Sequence, residues 1–228
     1  MENVVVVIAM IMNRWIMIKR LIFDLDNTLI MWDNDYYITL DQTFKYFNIE
    51  YNEEIKNNLI KAVDDYESVQ NTFNYKTLND LMKEYSNIDL PNNFTKIWTK
   101  HLEYAIPKEE DKELIDVLEY LSSKYELVVL TNWFTHQQKQ RLKKYGILKY
   151  FKEVIGTDQV INKPNKEAFV KACGKYNITE CVMIGDSLKT DIEGALNIGL
   201  RAVLFDYKKE YLGNIENIKE IRDLKNIF

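Results

Sequence analysis

Short, wholly apolar runs set a helix length or more apart constrain this chain more than any other feature. Leu21-Ile22-Phe23, Leu127-Val128-Val129-Leu130, Val154-Ile155, Cys181-Val182-Met183-Ile184 and Ala202-Val203-Leu204-Phe205 offer no polar residue to face water. Strands of that kind are buried on both faces, and helices between them make the connections crossovers. The intervening segments do read as helices. Leu114, Val117, Leu118 and Leu121 share one helical face, and a polar helix from about Thr135 stops at Gly146. Another helix starts after Pro164, and one more runs from about Lys189 toward Gly199. The expected fold is α/β, a doubly wound parallel sheet with a Rossmann-like core.

Glycine marks where this pattern begins. All 7 glycines lie at or after Gly146, so the earlier part reads as mostly helical. From Trp32 to about Ala105 the chain is rich in Tyr, Asn and Lys. Leu40, Phe44 and Phe47, and again Ile55, Leu59 and Val63, fall at helical spacing, and a helix opens near Pro91. At roughly seventy residues this is far too long for an ordinary strand-to-helix connection. The expected organisation is a catalytic α/β core of residues 17–31 and 107–228, with residues 32–106 inserted as a small helical cap.

The N-terminus is read separately. The apolar run from Val4 to Met12 is too short for a membrane span, and Glu2 replaces the basic residues of a secretory signal. Met17 stands just before a strong strand and is taken as the biological start, with residues 1–16 a non-native or accessory extension. A net charge of -5 with no basic block argues against a nucleic-acid polymer as partner. Cys173 and Cys181 match no metal spacing and no disulfide framework, as suits a reducing cytoplasm. The expected state is a cytoplasmic monomer or weak dimer without a membrane partner.

Chemistry collects where the apolar runs end. Phe23 leads into Asp24-Leu25-Asp26-Asn27-Thr28-Leu29, Leu130 into Thr131-Asn132, and Ile184-Gly185 into Asp186-Ser187, with Asp191 about a helical turn on. Lys163-Pro164 lies between the last two. Open α/β sheets hold their ligands at the carboxyl ends of the strands. Carboxylates buried there without partners are costly, so a cation is their natural neutraliser. Several hard carboxylate oxygens, a hydroxyl, an amide and one lysine on one rim describe a magnesium site that also takes a phosphate. Each motif alone has an ordinary structural reading, such as a helix cap for Thr131-Asn132. Their combination in order does not.

Asp24-Leu25-Asp26-Asn27-Thr28-Leu29, Leu130-Thr131-Asn132, Lys163-Pro164 and Gly185-Asp186-Ser187-Leu188-Lys189-Thr190-Asp191 resemble the four ordered motifs of the haloacid dehalogenase-like hydrolase superfamily. The helical insertion is similar to the type-1 cap of its subfamily I. Asn132-Trp133-Phe134-Thr135 with Gln137-Gln138, and Lys163-Pro164-Asn165-Lys166, resemble bacterial pyrimidine or house-cleaning 5′-nucleotidases, although Trp133 stands where those enzymes usually carry a small residue. The resemblance implies Asp24 as nucleophile, forming an aspartyl-phosphate, and Asp26 as general acid and base. It implies Mg2+ held by Asp24, the Asp26 carbonyl and Asp186. Thr131 and Lys163 would meet the phosphoryl oxygens, with Asp191 in support. Asn132, Trp133 and Trp32 are expected at the substrate, a small phosphomonoester such as a nucleoside 5′-monophosphate.

The alternatives differ in testable residues. A carbon–halogen hydrolase would have no use for Asp26. A receiver-like phospho-aspartate signalling domain would carry its acceptor on a middle strand, and Leu130-Thr131 has no acid there. No arginine follows either cysteine by six positions, and no P-loop is present. His101 and His136 belong to no ligand spacing and read as surface residues. Tyr36, Tyr37, Phe44, Tyr46, Phe47, Tyr51, Phe73 and Tyr75 read first as the core of the cap and second as a stacking surface for a base.

Overall fold

The computed structural model describes residues 17–32, 35–69 and 71–228, so the reading of residues 1–16 lies outside the described residues. The chain forms β1 (Arg20–Phe23), helices α1 (Asp35–Phe47), α2 (Glu53–Ser68), α3 (Tyr75–Ser86) and α4 (Phe94–Leu102), then α5 (Lys112–Ser122) and β2 (Glu126–Leu130). It continues through α6 (Thr135–Lys144), β3 (Phe151–Ile155), α7 (Lys166–Cys173) and β4 (Cys181–Gly185). A π-helical segment (Leu188–Glu193) runs into α8 (Gly194–Leu196), followed by β5 (Arg201–Phe205), β6 (Asn217–Ile218) and α9 (Leu224–Ile227). Among the described residues no helix is long and apolar enough to cross a membrane.

The strands form one parallel sheet in the order β3-β2-β1-β4-β5-β6. The doubly wound sheet expected from the apolar runs is therefore present, and the period-two geometry of a strand explains why nothing in those runs is polar. Leu21 and Phe23, Leu127 and Val129, and Val182 and Ile184 enter one core with α5 and α9. Ile22, Val128, Leu130 and Met183 enter the other, with α7 and Ile192. β3 begins three residues earlier than its apolar pair, because Lys152 and Glu153 of this edge strand face solvent.

Local signals fix the helix ends. Asn52, Asn74, Asp111 and Asn165 each cap a helix by accepting from a backbone amide near its start, as with Asp111 Oδ1 and Leu114 N at 3.0 Å. α4 opens at Phe94, beyond Pro91, whose carbonyl accepts from Phe94 N at 2.9 Å in a preceding turn.

Helices α1 to α4 surround a separate core of Leu40, Phe44, Leu59, Val63, Leu78, Met82, Phe94 and Trp98. Trp133 and Phe134, which follow β2, belong to this third core, so it rests directly on the sheet's loops. Phe134 stacks on Tyr75 with ring centroids 4.0 Å apart. His101 is half-buried, not at the surface: its Nδ1 lies 2.8 Å from the Thr43 hydroxyl, because α1 and α4 pack along one another. His136 is exposed.

Trp98 is wholly buried, and its indole N–H donates to Thr39 Oγ1 at 3.0 Å. Trp98→Ala should cost about 3–5 kcal/mol in urea unfolding, the range for deleting a large buried ring. A loss below about 1 kcal/mol would show that the four helices are not held by this residue.

Candidate active site

Strand register puts the polar residues on one rim. Phe23 is level with Val129 and Ile184, so Asp24 comes level with Leu130 and Gly185, and Thr131 and Asp186 lie one step beyond. Asn27, at φ 61, turns the chain after Asp26 and accepts from Trp32 N at 3.0 Å. Asn is among the few residues that take this left-handed conformation readily. The rim opens into a cavity of about 470 Å³ between sheet loops and helices, lined by every site residue expected from the sequence.

At its floor, Lys163 Nζ lies 2.5 Å from Asp24 Oδ1 and 2.6 Å from Asp191 Oδ1. All three side chains are buried. Asp191 Oδ2 accepts from Ser187 N at 3.1 Å, so both oxygens of Asp191 are engaged. A side chain at Gly185 would place its Cβ 2.3 Å from that oxygen, so only glycine lets Asp191 approach the strand end. The Asn132 side chain exchanges hydrogen bonds with the backbone of Lys163 at 2.8 and 3.0 Å, fixing the loop that carries the lysine.

Oxygens of Asp24, Asp186 and Asp191 come within 4.8 Å of one another. Burial pushes the Asp24 carboxyl well above the ordinary range; Lys163 pulls it down, while Asp191, Asp186 and Asp26 push it further up. Asp186 is raised to about 6, by burial first and then by Asp191. For Lys163, burial lowers the pKa, but Asp191 and Asp24 outweigh it and the ammonium stays charged. Burial, with three further carboxylates adding to it, outweighs the pull of Lys163, which is why Asp24 is pushed up beside a cation. A hard dication with oxygen ligands would relieve the remaining repulsion.

Asp26 is held differently. Arg141 Nη1 pairs with its Oδ1, and Gln138 Nε2 donates to its Oδ2 at 2.8 Å and to Thr131 Oγ1 at 3.0 Å. Trp32 lies over the Arg141 guanidinium, 4.9 Å from centroid to carbon, and edge-on to Tyr36 at 4.9 Å. Trp133 packs against Phe73 and Trp98 while also lining the cavity.

Residues 18–199 match the family described as haloacid dehalogenase-like hydrolase. The chain belongs to this family. It is 34% identical to rat N-acylneuraminate-9-phosphatase over 100 residues, a match covering 42% of this chain and only 40% of that protein. Glyceraldehyde 3-phosphate phosphatase of Pyrococcus abyssi is 26% identical over 216 residues, covering 85% of this chain and 83% of that protein. Pyrimidine 5′-nucleotidase PynA of Streptococcus pneumoniae is 26% identical over 210 residues, covering 82% and 84%. The crystal structure of the HAD-hydrolase YfnB of Bacillus subtilis, bound to magnesium, superposes with a TM-score of 0.69 at 22% identity. It covers 92% of this chain and 98% of that one, a likeness of fold.

Arg141, Gln138 and Glu67 also line the cavity of this haloacid dehalogenase-like chain, and motif reading passed over them as site residues. For the first two a signal existed. Thr135–Lys144 holds a single apolar residue, Leu142, yet a crossover helix must bury one face. Its buried residues are Thr135, Gln137, Gln138, Arg141 and Leu142, so polar groups had to find partners inside. The Gln137 amide, also at the cavity, is buried without a partner among the described residues. Glu67 gave no such signal, because it ends an amphipathic helix of the insertion.

Glu67 accepts from Tyr36 OH at 3.0 Å, and its carboxyl is raised to about 8. Burial is the main cause; Asp64 and Asp26 add to it, and the Tyr36 hydrogen bond opposes it. The folded chain therefore keeps a proton that the unfolded chain, with an ordinary value of 4.5, has lost. Stability should fall as pH rises from about 4.5 to about 8 and level off above that. Glu67→Gln should abolish this fall, making the variant relatively more stable by at least about 1 kcal/mol at pH 8.5 than at pH 5. Urea unfolding at pH 5, 6.5 and 8.5 measures it, and a difference independent of pH would refute the shift.

Proposed function

We propose that this chain is a magnesium-dependent phosphomonoester hydrolase that works through an aspartyl-phosphate on Asp24. The observation that carries the reading is the buried carboxylate cluster at the end of β1, offset by a single lysine and faced by a second carboxylate, Asp26. The named phosphatases among its relatives support it.

Asp24 and Asp186 are the residues for the metal, together with the Asp26 carbonyl, since both Asp191 oxygens are already engaged. When bound, Mg2+ supplies charge neutralisation for the phosphoryl oxygens. An Asp24 oxygen bonds to phosphorus as the bond to the leaving oxygen breaks, and Asp26 gives that oxygen its proton. Water then attacks the same phosphorus, Asp26 takes its proton, and Asp24 and inorganic phosphate separate. Lys163 turns from Asp24 to the phosphoryl oxygens, which Thr131 also meets, while Asp191 keeps the lysine in place. Residues 32–106 act as a cap over the core formed by residues 17–31 and 107–228. The two free cysteines suit a reducing cytoplasm.

The cap side of the cavity favours an uncharged leaving group. Trp32, Tyr36, Glu67 and Ser68 line it, whereas the cations among the described lining residues, Lys163 and Arg141, are already paired with carboxylates. Rings with a hydrogen-bonding carboxyl suit a nucleoside better than a second phosphate. A carbon–halogen hydrolase would leave Asp26 and its two donors without a task.

Asp24→Asn should bring magnesium-dependent turnover of p-nitrophenyl phosphate below about a hundredth of wild type, a barrier increase of at least about 2.7 kcal/mol. Retained turnover in a folded variant would remove the nucleophile assignment. For the leaving group, Trp32→Ala and Trp133→Ala should each lower kcat/KM on a nucleoside monophosphate more than on glycerol 1-phosphate, by about 0.5–1.5 kcal/mol. Equal losses on both would return the two rings to packing. A wild type that never prefers the nucleotide would remove that substrate and leave the phosphatase.

A further inference from the structure

Arg141 has no task in the chemistry above, yet it is 1% exposed and bonded to protein through two of its nitrogens. Besides pairing with Asp26, its Nη1 donates to Gln138 Oε1 at 2.9 Å, and its Nε donates to the Ala105 carbonyl at 2.9 Å. Its Nη2 is buried without a partner among the described residues, and Trp32 covers the guanidinium. A buried arginine is costly to keep, and apolar packing generally stabilises at least as well. Asp26, by contrast, lies beyond the end of β1 on a turn, with its side chain 32% exposed. Left alone there, its carboxyl would spread over several rotamers.

We infer that Arg141 is a positioning residue which, with Gln138, holds the Asp26 carboxyl in one orientation for proton transfer at the leaving oxygen. The inference rests on the function proposed above. Arg141 and Gln138 are three residues apart on α6, so one rigid helix face grips both oxygens of Asp26. The planar guanidinium sets the plane of the carboxyl, which an ammonium cannot do. Each carboxyl oxygen has two lone-pair directions, so the two donors leave room for the proton that Asp26 gives and later recovers. Arg141 exchanges no proton itself. Gln138 also ties Asp26 to the Thr131 hydroxyl, so the proton donor and one phosphoryl donor share a support. The competing role, a receptor for an anion on the substrate, suits less well. Two of the three guanidinium nitrogens are committed to protein, and a ring closes over them.

The test compares kcat/KM, which reports only the steps through release of the first product, for two substrates. Glycerol 1-phosphate needs its leaving oxygen protonated; 2,4-dinitrophenyl phosphate does not. Arg141→Met should lose at least about 100-fold on glycerol 1-phosphate, within the range for general acid catalysis. On dinitrophenyl phosphate it should stay within about threefold. The dinitrophenyl substrate should also show a burst of dinitrophenolate, since Asp26 serves the second step as base. Gln138→Met should show the same selectivity at smaller size. Equal losses on both substrates would reduce Arg141 to packing, and a raised KM with unchanged kcat would make it an anion receptor; either overturns the inference. If Arg141→Met fails to fold by circular dichroism, Arg141→Lys and Gln138→Met decide by the same comparison. Asp26→Asn serves as reference: without leaving-group selectivity there, the proposed function falls and this inference with it. Selectivity there but not in the Arg141 and Gln138 variants overturns this inference alone.

Discussion

The structure depends on concentrating carboxylates at the carboxyl edge of a parallel sheet. Asp24, Asp186 and Asp191 approach one another at a depth where charge is expensive, and among the described residues only Lys163 pairs with them. Much of the surrounding structure follows. Gly185 leaves space for Asp191, Asn132 ties down the lysine's loop, and burial, with the neighbouring carboxylates, pushes the Asp24 carboxyl well above its ordinary range. Three carboxylates so placed could hold a cation, the charge this cluster is short of.

A second dependence runs through α6. This helix packs on the sheet with almost no apolar surface, and what it buries is a set of amides and a guanidinium that reach Asp26, Thr131 and the Ala105 carbonyl. Just before it, Trp133 and Phe134 leave the sheet's loop and enter the core of the four-helix insertion. The strand-end loops and the four helices that line the cavity are thus joined by one short stretch of chain. Glu67 closes the far side from α2, where burial keeps its carboxyl neutral at moderate pH.

The fold was legible because burial on both faces leaves a strand no freedom of composition. Leu127 to Leu130 could not serve an exposed sheet, and the crossover helices between such strands allow few arrangements. The rim residues were legible for a related reason: a carboxylate directly after a buried strand has few ordinary uses. Two strand readings show the limits. β3 was read short because this edge strand carries Lys152 and Glu153 outward, and β6, at two residues, carries no pattern at all. His101 was read as exposed because nothing near it in sequence announces Thr43, which arrives from α1.

By itself the sequence determined the doubly wound sheet, the helical character of the stretch between β1 and α5 and the polar residues at the strand ends, since all three are properties of local pattern and strand order. Only the tertiary structure decided which charges pair. That Lys163 bridges Asp24 and Asp191, that Arg141 and Gln138 take the two oxygens of Asp26, and that Glu67 meets Tyr36 are contacts across 139, 28, 115, 112 and 31 residues. Pairing at such separations is set by packing and by the cost of leaving a buried charge alone, and no local pattern records either.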